Sequence, residues 1–121
     1  GGDAIVARRS AVASLDALKA RPDTRIAFTP ASPSEHLLKS IATHFDLPQL
    51  RDRRGRWRVE ADGSTDALAK LRAGEADVAV LWEPDVSRAL ASDEFVKLIG
   101  TGDTDKLIVD VLIASRKVVQ D

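Results

Sequence analysis

Hydrophobic and polar positions alternate along the chain in two periods, and each period predicts a different kind of element. Short apolar runs bounded by turn residues predict strands at residues 3–7, 25–29, 57–61, 77–82, 95–99 and 107–114. Apolar positions three and four residues apart predict helices at residues 14–20, 34–45, 64–74 and 84–91, with a further helical start at residue 115. This alternation favours βαβ units. We therefore expect an α/β fold with three layers, αβα, around a mixed but mostly parallel sheet of about five strands.

Composition narrows the class of protein without identifying it. The chain has 121 residues, of which 44% are hydrophobic and 31% charged, so we expect a single globular domain over residues 1–121. A net charge of −1 gives no reason to expect nucleic acid as a partner. The absence of cysteine excludes disulfides and thiolate chemistry. No apolar run approaches the roughly 18 residues of a membrane span, so we expect no membrane insertion of this segment.

The turn after the second predicted strand is the first candidate site. Its residues form the capping box "SPSE", in which Ser32 caps a helix, Pro33 takes the first helical position and Glu35 the third. Helix capping explains the turn completely and is the more common role for such residues. The alternative is an anion site, in which spare backbone N–H groups bind the ligand and Ser34 and His36 add donors.

The turn "ADGSTDAL" before the third predicted helix offers a similar choice. Asp62 or Ser64 is expected to cap the helix, and Gly63 permits a tight bend. Ser64 and Thr65 also carry hydroxyls that could bind a ligand. Capping is again the favoured interpretation, because almost every helix begins with such residues.

The turn "LWEPDV" is less ordinary. Trp82 ends a buried strand, Glu83 follows at once, and Pro84 is expected to begin the next helix. A tryptophan and a carboxylate at the end of a strand can form the floor and polar anchor of a pocket. Equally, Trp82 could cover the end of the sheet while Glu83 caps the helix. Both interpretations stay open.

Asp110 interrupts the last apolar run, whose residues are otherwise hydrophobic on both faces. A buried carboxylate must be paired or hydrogen-bonded. An internal ion pair is the favoured interpretation, and contact with a ligand is the alternative.

Residues 51–58, "RDRRGRWR", combine five arginines with a tryptophan. Basic residues interleaved with an aromatic are typical of nucleic-acid contacts. The balanced overall charge and the hairpin-like "RRGR" favour a solvated loop instead. We therefore predict no nucleic-acid partner.

Three segments of the chain resemble type II periplasmic solute-binding proteins. The first match pairs the family pattern "sLaDLkGkkVavp.GSsshyLL" with "SLDALKARPDTRIAFTPASPSEHLL". The second pairs "a..aL.sGevDAavvweP....al" with "ALAKLRAGEADVAVLWEPDVSRAL", and the third pairs "..dvlvaskdfl" with "LIVDVLIASRKVVQD". The similar branch comprises the nitrate, sulfonate, taurine and bicarbonate receptors of ABC transporters, together with their thiamine-precursor relatives.

This resemblance implies a protein of two lobes joined by hinge strands, with the ligand held between the lobes. The chain matches the second lobe, a periplasmic-binding-protein-like lobe with hinge strands near residues 3–8 and 107–115, so we expect a fragment that lacks the first lobe of the polypeptide. The sequence departs from the family where "ASPS" replaces the more common glycine-serine turn. The positions that the resemblance carries over as ligand-binding are Ser32, Ser34, His36, Ser64, Thr65, Trp82 and Glu83.

The function implied by the resemblance is binding without catalysis. Such a receptor captures a small polar or anionic solute, of sulfonate, nitrate, taurine or thiamine-precursor type, and presents it to an ABC-transporter permease. We expect no catalytic residue, no metal and no cofactor. We also expect a periplasmic or extracellular location, with membrane association through the transporter or a lipid anchor outside this segment.

Two other functions are weaker alternatives. The effector-sensing domain of a LysR-type transcriptional regulator shares this architecture. An enzyme could use Ser34, His36 and His44 as nucleophile and bases, but no G-x-S-x-G or H-E-x-x-H motif accompanies them.

Overall fold

Strands and helices alternate in the computed structural model, which describes residues 3–100. The strands are β1 (Asp3–Arg8), β2 (Ile26–Phe28), β3 (Arg58–Glu60), β4 (Val78–Trp82) and β5 (Phe95–Gly100). The helices are α1 (Leu15–Ala20), α2 (Pro33–His44), α3 (Ser64–Ala73) and α4 (Asp85–Leu90), and a short 3₁₀ helix, Pro48–Arg51, follows α2. Every strand and helix predicted within this range is present, with ends within one residue of the prediction. The predicted strand at 107–114, its Asp110, the second hinge strand and the helical start at 115 lie outside the described residues.

The sheet is mixed, as predicted, with two parallel and two antiparallel pairings among the described strands. Its strand order is β3-β2-β4-β1-β5. The strand β2 pairs in parallel with β3 and β4, whereas β1 pairs antiparallel with β4 and β5. Therefore β1 alone is reversed among the described strands. Its first residue, Asp3, pairs with Trp82 and so lies at the edge where the parallel strands end.

Helices cover both faces of the sheet and give the predicted three layers. Alternate residues of a strand point to opposite faces, so each central strand contributes to two separate cores. The core beneath α1, α2 and the 3₁₀ helix includes Ile5, Phe28, Leu38, Ile41 and Val80. The core beneath α3 and α4 includes Val6, Ala27, Leu71, Leu81 and Ala89.

The helix α2 is amphipathic, and its apolar stripe sets how it packs. Leu37, Leu38 and Ile41 are buried against the sheet, while His36 and Lys39 are exposed. Spacing of three and four residues places the buried side chains on one face of a helix. The helix has 12 residues, and no helix in the part of the chain that the structure describes is long and apolar enough to cross a membrane.

Two helix starts differ from the sequence-based expectation. The cap of α3 is neither Asp62 nor Ser64 but Gly63, which makes no side-chain cap bond and has a φ of 98°, a conformation natural to glycine. Ser64 is the first residue of the helix. Pro84 is the cap of α4, and the helix begins at Asp85.

Candidate ligand-binding site

Three strand-to-helix turns meet at one edge of the sheet. The parallel strands β2, β3 and β4 all end there, and each leads into the start of α2, α3 or α4. The reversed strand β1 begins at the same edge. In open α/β sheets, ligands bind outside the carboxyl ends of the strands. We call this region, residues 3, 29–36, 61–65 and 82–85, the carboxyl edge.

The first turn is a capped helix start, as predicted. Ser32 Oγ accepts a hydrogen bond from the Ser34 N–H at 3.1 Å and donates to the Thr29 carbonyl at 2.6 Å. The second arm of the capping box is displaced by one residue. Glu35 Oε2 accepts from the Ala31 N–H at 3.2 Å, rather than from the N–H of the cap itself. These bonds fix the path of the chain from β2 into α2.

The start of α2 does not keep the spare N–H groups that the sequence suggested. Pro33 has none, and the Ser34 N–H is bonded to the Ser32 hydroxyl. The N–H groups of Glu35 and His36 donate to the Ser32 carbonyl at 3.1 and 3.3 Å. These N–H groups are therefore used within the turn, and an anion site at this helix start stays a prediction. The His36 side chain is exposed at the carboxyl edge, where its proposed contact with a ligand stays a prediction.

Ser34 connects α2 to the start of β1. Its side chain is fully buried, and its hydroxyl donates to Asp3 Oδ2 at 3.3 Å. The hydroxyl thus contacts a carboxylate rather than an imidazole. The fold already uses this hydroxyl in the bond to Asp3. A contact between Ser34 and a ligand stays a prediction.

The second and third turns are joined by side-chain hydrogen bonds. Ser64 is buried, and its hydroxyl accepts from the Trp82 N–H at 2.9 Å and donates to the Trp82 carbonyl at 3.3 Å. Thr65 Oγ1 donates to Asp85 Oδ2 at 3.1 Å, and Arg88 Nη1 donates to the other carboxylate oxygen at 3.4 Å. Asp85 is itself buried. Together these bonds hold Trp82, which is half-buried, next to the start of α3.

The start of α3 differs from that of α2. The Gly63 N–H donates to Thr29 Oγ1 at 3.1 Å, which links the first turn to the second. Within residues 3–100, the N–H groups of Ser64 and Thr65 have no hydrogen-bond acceptor. The first N–H groups of a helix lack partners inside the helix and attract anions. An oxyanion at the carboxyl edge therefore fits α3 better than α2.

Glu83 is exposed, precedes the cap residue Pro84 and hydrogen-bonds the first turn of α4. Its two carboxylate oxygens accept from the N–H and the hydroxyl of Ser87 at 2.8 and 2.7 Å. These bonds, the hydroxyl first and the N–H second, hold the pKa of Glu83 below its ordinary value of 4.5. The structural role suggested for Glu83 is therefore present, while its role as a ligand anchor stays a prediction.

We expect Ser87→Ala to raise the pKa of Glu83 toward 4.5, because the substitution removes the larger of the two causes. Because the pKa of Glu83 is lower in the folded than in the unfolded protein, its carboxylate stabilises the fold at pH values above 4.5. This stabilisation is lost as the pH falls through the folded-state pKa. The variant should therefore be less stable than the parent at neutral pH, and the difference should shrink in acid. An NMR titration of the side-chain carboxyl carbons measures the pKa directly.

Asp66 is the internal control for that titration. Its pKa is lowered by the Asp62 N–H, which donates at 2.8 Å, and then by Lys70. Neither group contacts Ser87, so Ser87→Ala should leave the pKa of Asp66 unchanged. An unchanged pKa at Glu83 would contradict the capping geometry.

The sequence-based prediction of site residues missed Asp3, Thr29 and Asp85, whose side chains link elements at the carboxyl edge. Asp85 lies in the turn "LWEPDV", and Thr29 ends the second predicted strand just before the turn "SPSE", so their polar side chains were a signal that could have been used. The position of Asp3 had no such local signal, because it depends on the reversed direction of β1. Its partner Ser34 lies on a different element.

Carboxylates outnumber basic groups near the third turn. Asp3, Glu83 and Asp85 lie there, with Arg88 and Lys97 as the nearby cations. Among the described residues, no three side chains of histidine, cysteine, aspartate or glutamate could together hold a metal ion. The carboxyl edge thus combines N–H donors at the start of α3, carboxylate acceptors beside β4 and the indole ring of Trp82.

Comparison with solved structures identifies the fold. The periplasmic aliphatic sulphonate binding protein SsuA from Escherichia coli matches 84% of this chain with a TM-score of 0.66 and 23% identity. The substrate binding domain of a molybdenum ABC transporter from Clostridium difficile matches 83% with a TM-score of 0.58 and 20% identity. An amino acid ABC transporter substrate-binding protein from Streptococcus pneumoniae, bound to L-arginine, matches 79% with a TM-score of 0.52 and 17% identity.

These likenesses cover only part of each known protein. The chain spans 33%, 42% and 36% of the three, respectively. No protein-family model matches the chain, and no curated protein matches it either. All three structural relatives are binding proteins or binding domains, two of them of ABC transporters, and the compounds for which they are named differ. The chain therefore has the α/β fold of a lobe of periplasmic solute-binding proteins, as its sequence resemblance implies.

Proposed function

We propose that this chain is a ligand-binding lobe of an ABC-transporter substrate-binding protein and captures a small polar solute at the carboxyl edge. One observation carries the proposal. Hydrogen bonds through Thr29, Ser64 and Thr65 connect all three strand-to-helix turns at the edge where such sheets bind ligands. The fold shared with three binding proteins, two of them of ABC transporters, supports the same function.

The proposal extends to parts of the system outside this segment. A first lobe of the same polypeptide would close over the ligand, and a permease would receive it. The protein would work in the periplasm or outside the cell, held near the membrane by the transporter or a lipid anchor. No bond is broken in this function, so no residue is assigned a catalytic role.

Within the site, the residues divide into those that bind and those that hold the turns. The N–H groups of Ser64 and Thr65 would bind an oxyanion, and the half-buried Trp82 would cover the apolar part of the ligand. Glu83 and His36 are exposed and would reach polar groups of the ligand from the side. Ser32 and Ser34 would act mainly through the turn geometry that their hydroxyls maintain.

The charges of the edge favour a solute that carries both signs. Carboxylates near β4 repel a simple anion such as nitrate, and the cost grows as water is excluded. The same carboxylates attract an ammonium or amidine group, while the start of α3 attracts an oxyanion. Among the expected sulfonate, nitrate, taurine and thiamine-precursor classes, we favour a zwitterionic or nitrogen-bearing solute. Taurine, an aminosulfonate, is a suitable probe.

An NMR titration of the chain with taurine tests this function. We expect shifts at the amides of Gly63, Ser64 and Thr65 and at the indole of Trp82, with a dissociation constant in the millimolar range. Binding should be weak because a one-sided site buries little of the ligand. Micromolar affinity for the monomer, or shifts confined to other parts of the molecule, would contradict the proposal.

Substitution of Glu83 tests the solute class. Glu83→Gln should weaken the taurine shifts and should not weaken those caused by sulfate, because only taurine carries an ammonium group. Glu75→Gln is the matched control, since Glu75 is exposed and follows α3 away from the carboxyl edge. Stronger sulfate binding by the parent than by Glu83→Gln would overturn the electrostatic argument. An upstream helix-turn-helix in the same gene would support the LysR-type alternative instead.

A further inference from the structure

A cavity of about 510 Å³ opens between α2 and the arginine segment, which we define as residues 51–58. The cavity lies beside the edge strand β3, and none of the seven predicted ligand-binding residues lines it. Small-molecule sites typically have volumes of about 300–1,000 Å³. The cavity is therefore large enough for a small organic molecule, and among its lining residues only Glu35 belongs to the carboxyl edge.

The floor of this cavity is apolar and well supported. Leu38, Leu50 and Trp57 line it, and each is at most 6% exposed. The indole of Trp57 stacks on the ring of Phe28 with centroids 5.6 Å apart. Its Nε1 donates to the Asp52 carbonyl at 3.0 Å, which fixes the ring within the segment. A rigid apolar floor favours a ligand with a flat hydrophobic body.

The rim of the cavity is strongly basic although the whole chain has a net charge of −1. Lys39, Arg51 and Arg53 are exposed on it, and none has an ion-pair partner within residues 3–100. Glu35 is the one carboxylate among the lining residues. Asp52 lies in the same segment, where its carboxylate accepts from the Arg54 N–H at 3.0 Å. The unpaired rim cations therefore attract an anion.

Arg58 connects the rim to the floor. Its guanidinium lies over the rings of Phe28 and Trp57, at 4.8 and 5.4 Å from their centroids. Its Nη2 contacts Glu35 at 3.5 Å and Glu60 at 3.3 Å. Both contacts use Nη2, so the other guanidinium nitrogens, Nε and Nη1, take part in neither contact. A guanidinium held in one place by stacking is a pre-organised donor for a carboxylate.

We propose that this cavity is a second ligand site, which binds a small aromatic or otherwise flat organic anion such as an aryl carboxylate. The apolar floor would cover the body of the ligand, and Arg51 and Arg53 would pair with its carboxylates. A bare inorganic anion would leave the floor uncovered. This site does not depend on the proposed transport function, because its lining includes none of the residues proposed to bind the solute.

Titration with phthalate, a benzene dicarboxylate, tests the site. We expect saturable shifts of the Trp57 indole N–H and of the Nε–H groups of Arg51 and Arg53 in NMR spectra. The indole of Trp82 at the carboxyl edge is the internal reference and should not move. Shifts that centre on Trp82 instead would assign phthalate to the carboxyl edge and overturn the proposal.

Two paired variants separate this site from general attraction to arginine. The double variant Arg51→Gln, Arg53→Gln should weaken phthalate binding about tenfold or more, because two charge-assisted contacts are lost. The matched control is Arg54→Gln, Arg56→Gln, which removes the same charge from the same segment but outside the cavity. Equal losses in both double variants would show nonspecific attraction. Tighter binding of a hexaglutamate peptide than of phthalate would overturn the proposal in favour of an acidic protein partner.

Discussion

Replacing Trp57 with alanine should lower the free energy of unfolding by about 3–5 kcal/mol, the usual cost of removing a large buried aromatic. The indole is only 4% exposed and stacks on Phe28 in the core beneath α2. Its loss would leave a cavity beneath Arg58 and release the hydrogen bond to Asp52. Denaturant unfolding monitored by far-UV circular dichroism measures the change.

Two further variants show which part of the side chain matters. Trp57→Phe keeps an aromatic ring over Phe28 but loses the Nε1–H donor, so it should cost less than Trp57→Ala. Trp82→Ala should also cost less, because Trp82 is only half-buried. A loss below about 1 kcal/mol for Trp57→Ala would show that the arginine segment is not anchored in the core, since exposed substitutions fall in that range.

The positions of the elements could be predicted because their signals are local. Helix α2 follows from the spacing of Leu37, Leu38 and Ile41 and from the cap at Ser32. Ser14 likewise caps α1, where its hydroxyl accepts from the Ala17 N–H at 3.1 Å. Periodicity and capping depend on residues a few positions apart, so both are visible in the sequence alone.

The direction of β1 and its consequences could not be predicted from such signals. Pairing of β1 with β4 is a tertiary choice, and it places Asp3 beside Trp82. That choice also brings Asp3 to Ser34, whose hydroxyl becomes part of the fold. The sequence correctly suggested polar turns at one edge, but it did not show which hydroxyls and N–H groups the fold would use internally.

The packing of the arginine segment also could not be predicted from the sequence. Its composition favoured a solvated loop, and Arg51, Arg53, Arg54 and Arg56 are indeed exposed. Trp57 and Arg58 differ because both pack against Phe28, which is distant in sequence. The cavity beside them arises from this packing and from the position of α2, neither of which composition reveals.

Ser64→Ala should lower the free energy of unfolding by about 1–3 kcal/mol, because it removes a buried hydroxyl that bonds two partly buried backbone groups of Trp82. The Ser64 side chain is 2% exposed, and its hydroxyl bonds both the N–H and the carbonyl of Trp82. Water reaches such a position with difficulty, so the lost bonds would not be replaced in full. Thermal or denaturant unfolding measures the loss.

Hydrogen exchange of the Trp82 amide locates the effect. In the parent, the Trp82 N–H donates to Ser64 Oγ at 2.9 Å and should be protected from exchange. In Ser64→Ala this N–H should exchange faster, while the exchange rates of the β1 amides keep the same order among themselves. Ser10→Ala is the matched control, since Ser10 is exposed, and its stability should stay within about 0.5 kcal/mol of the parent. Unchanged stability and unchanged exchange at Trp82 would contradict the hydrogen-bonded turn. If the variant keeps its taurine shifts at Thr65 despite lower stability, the Ser64 hydroxyl positions Trp82 and does not itself bind the solute.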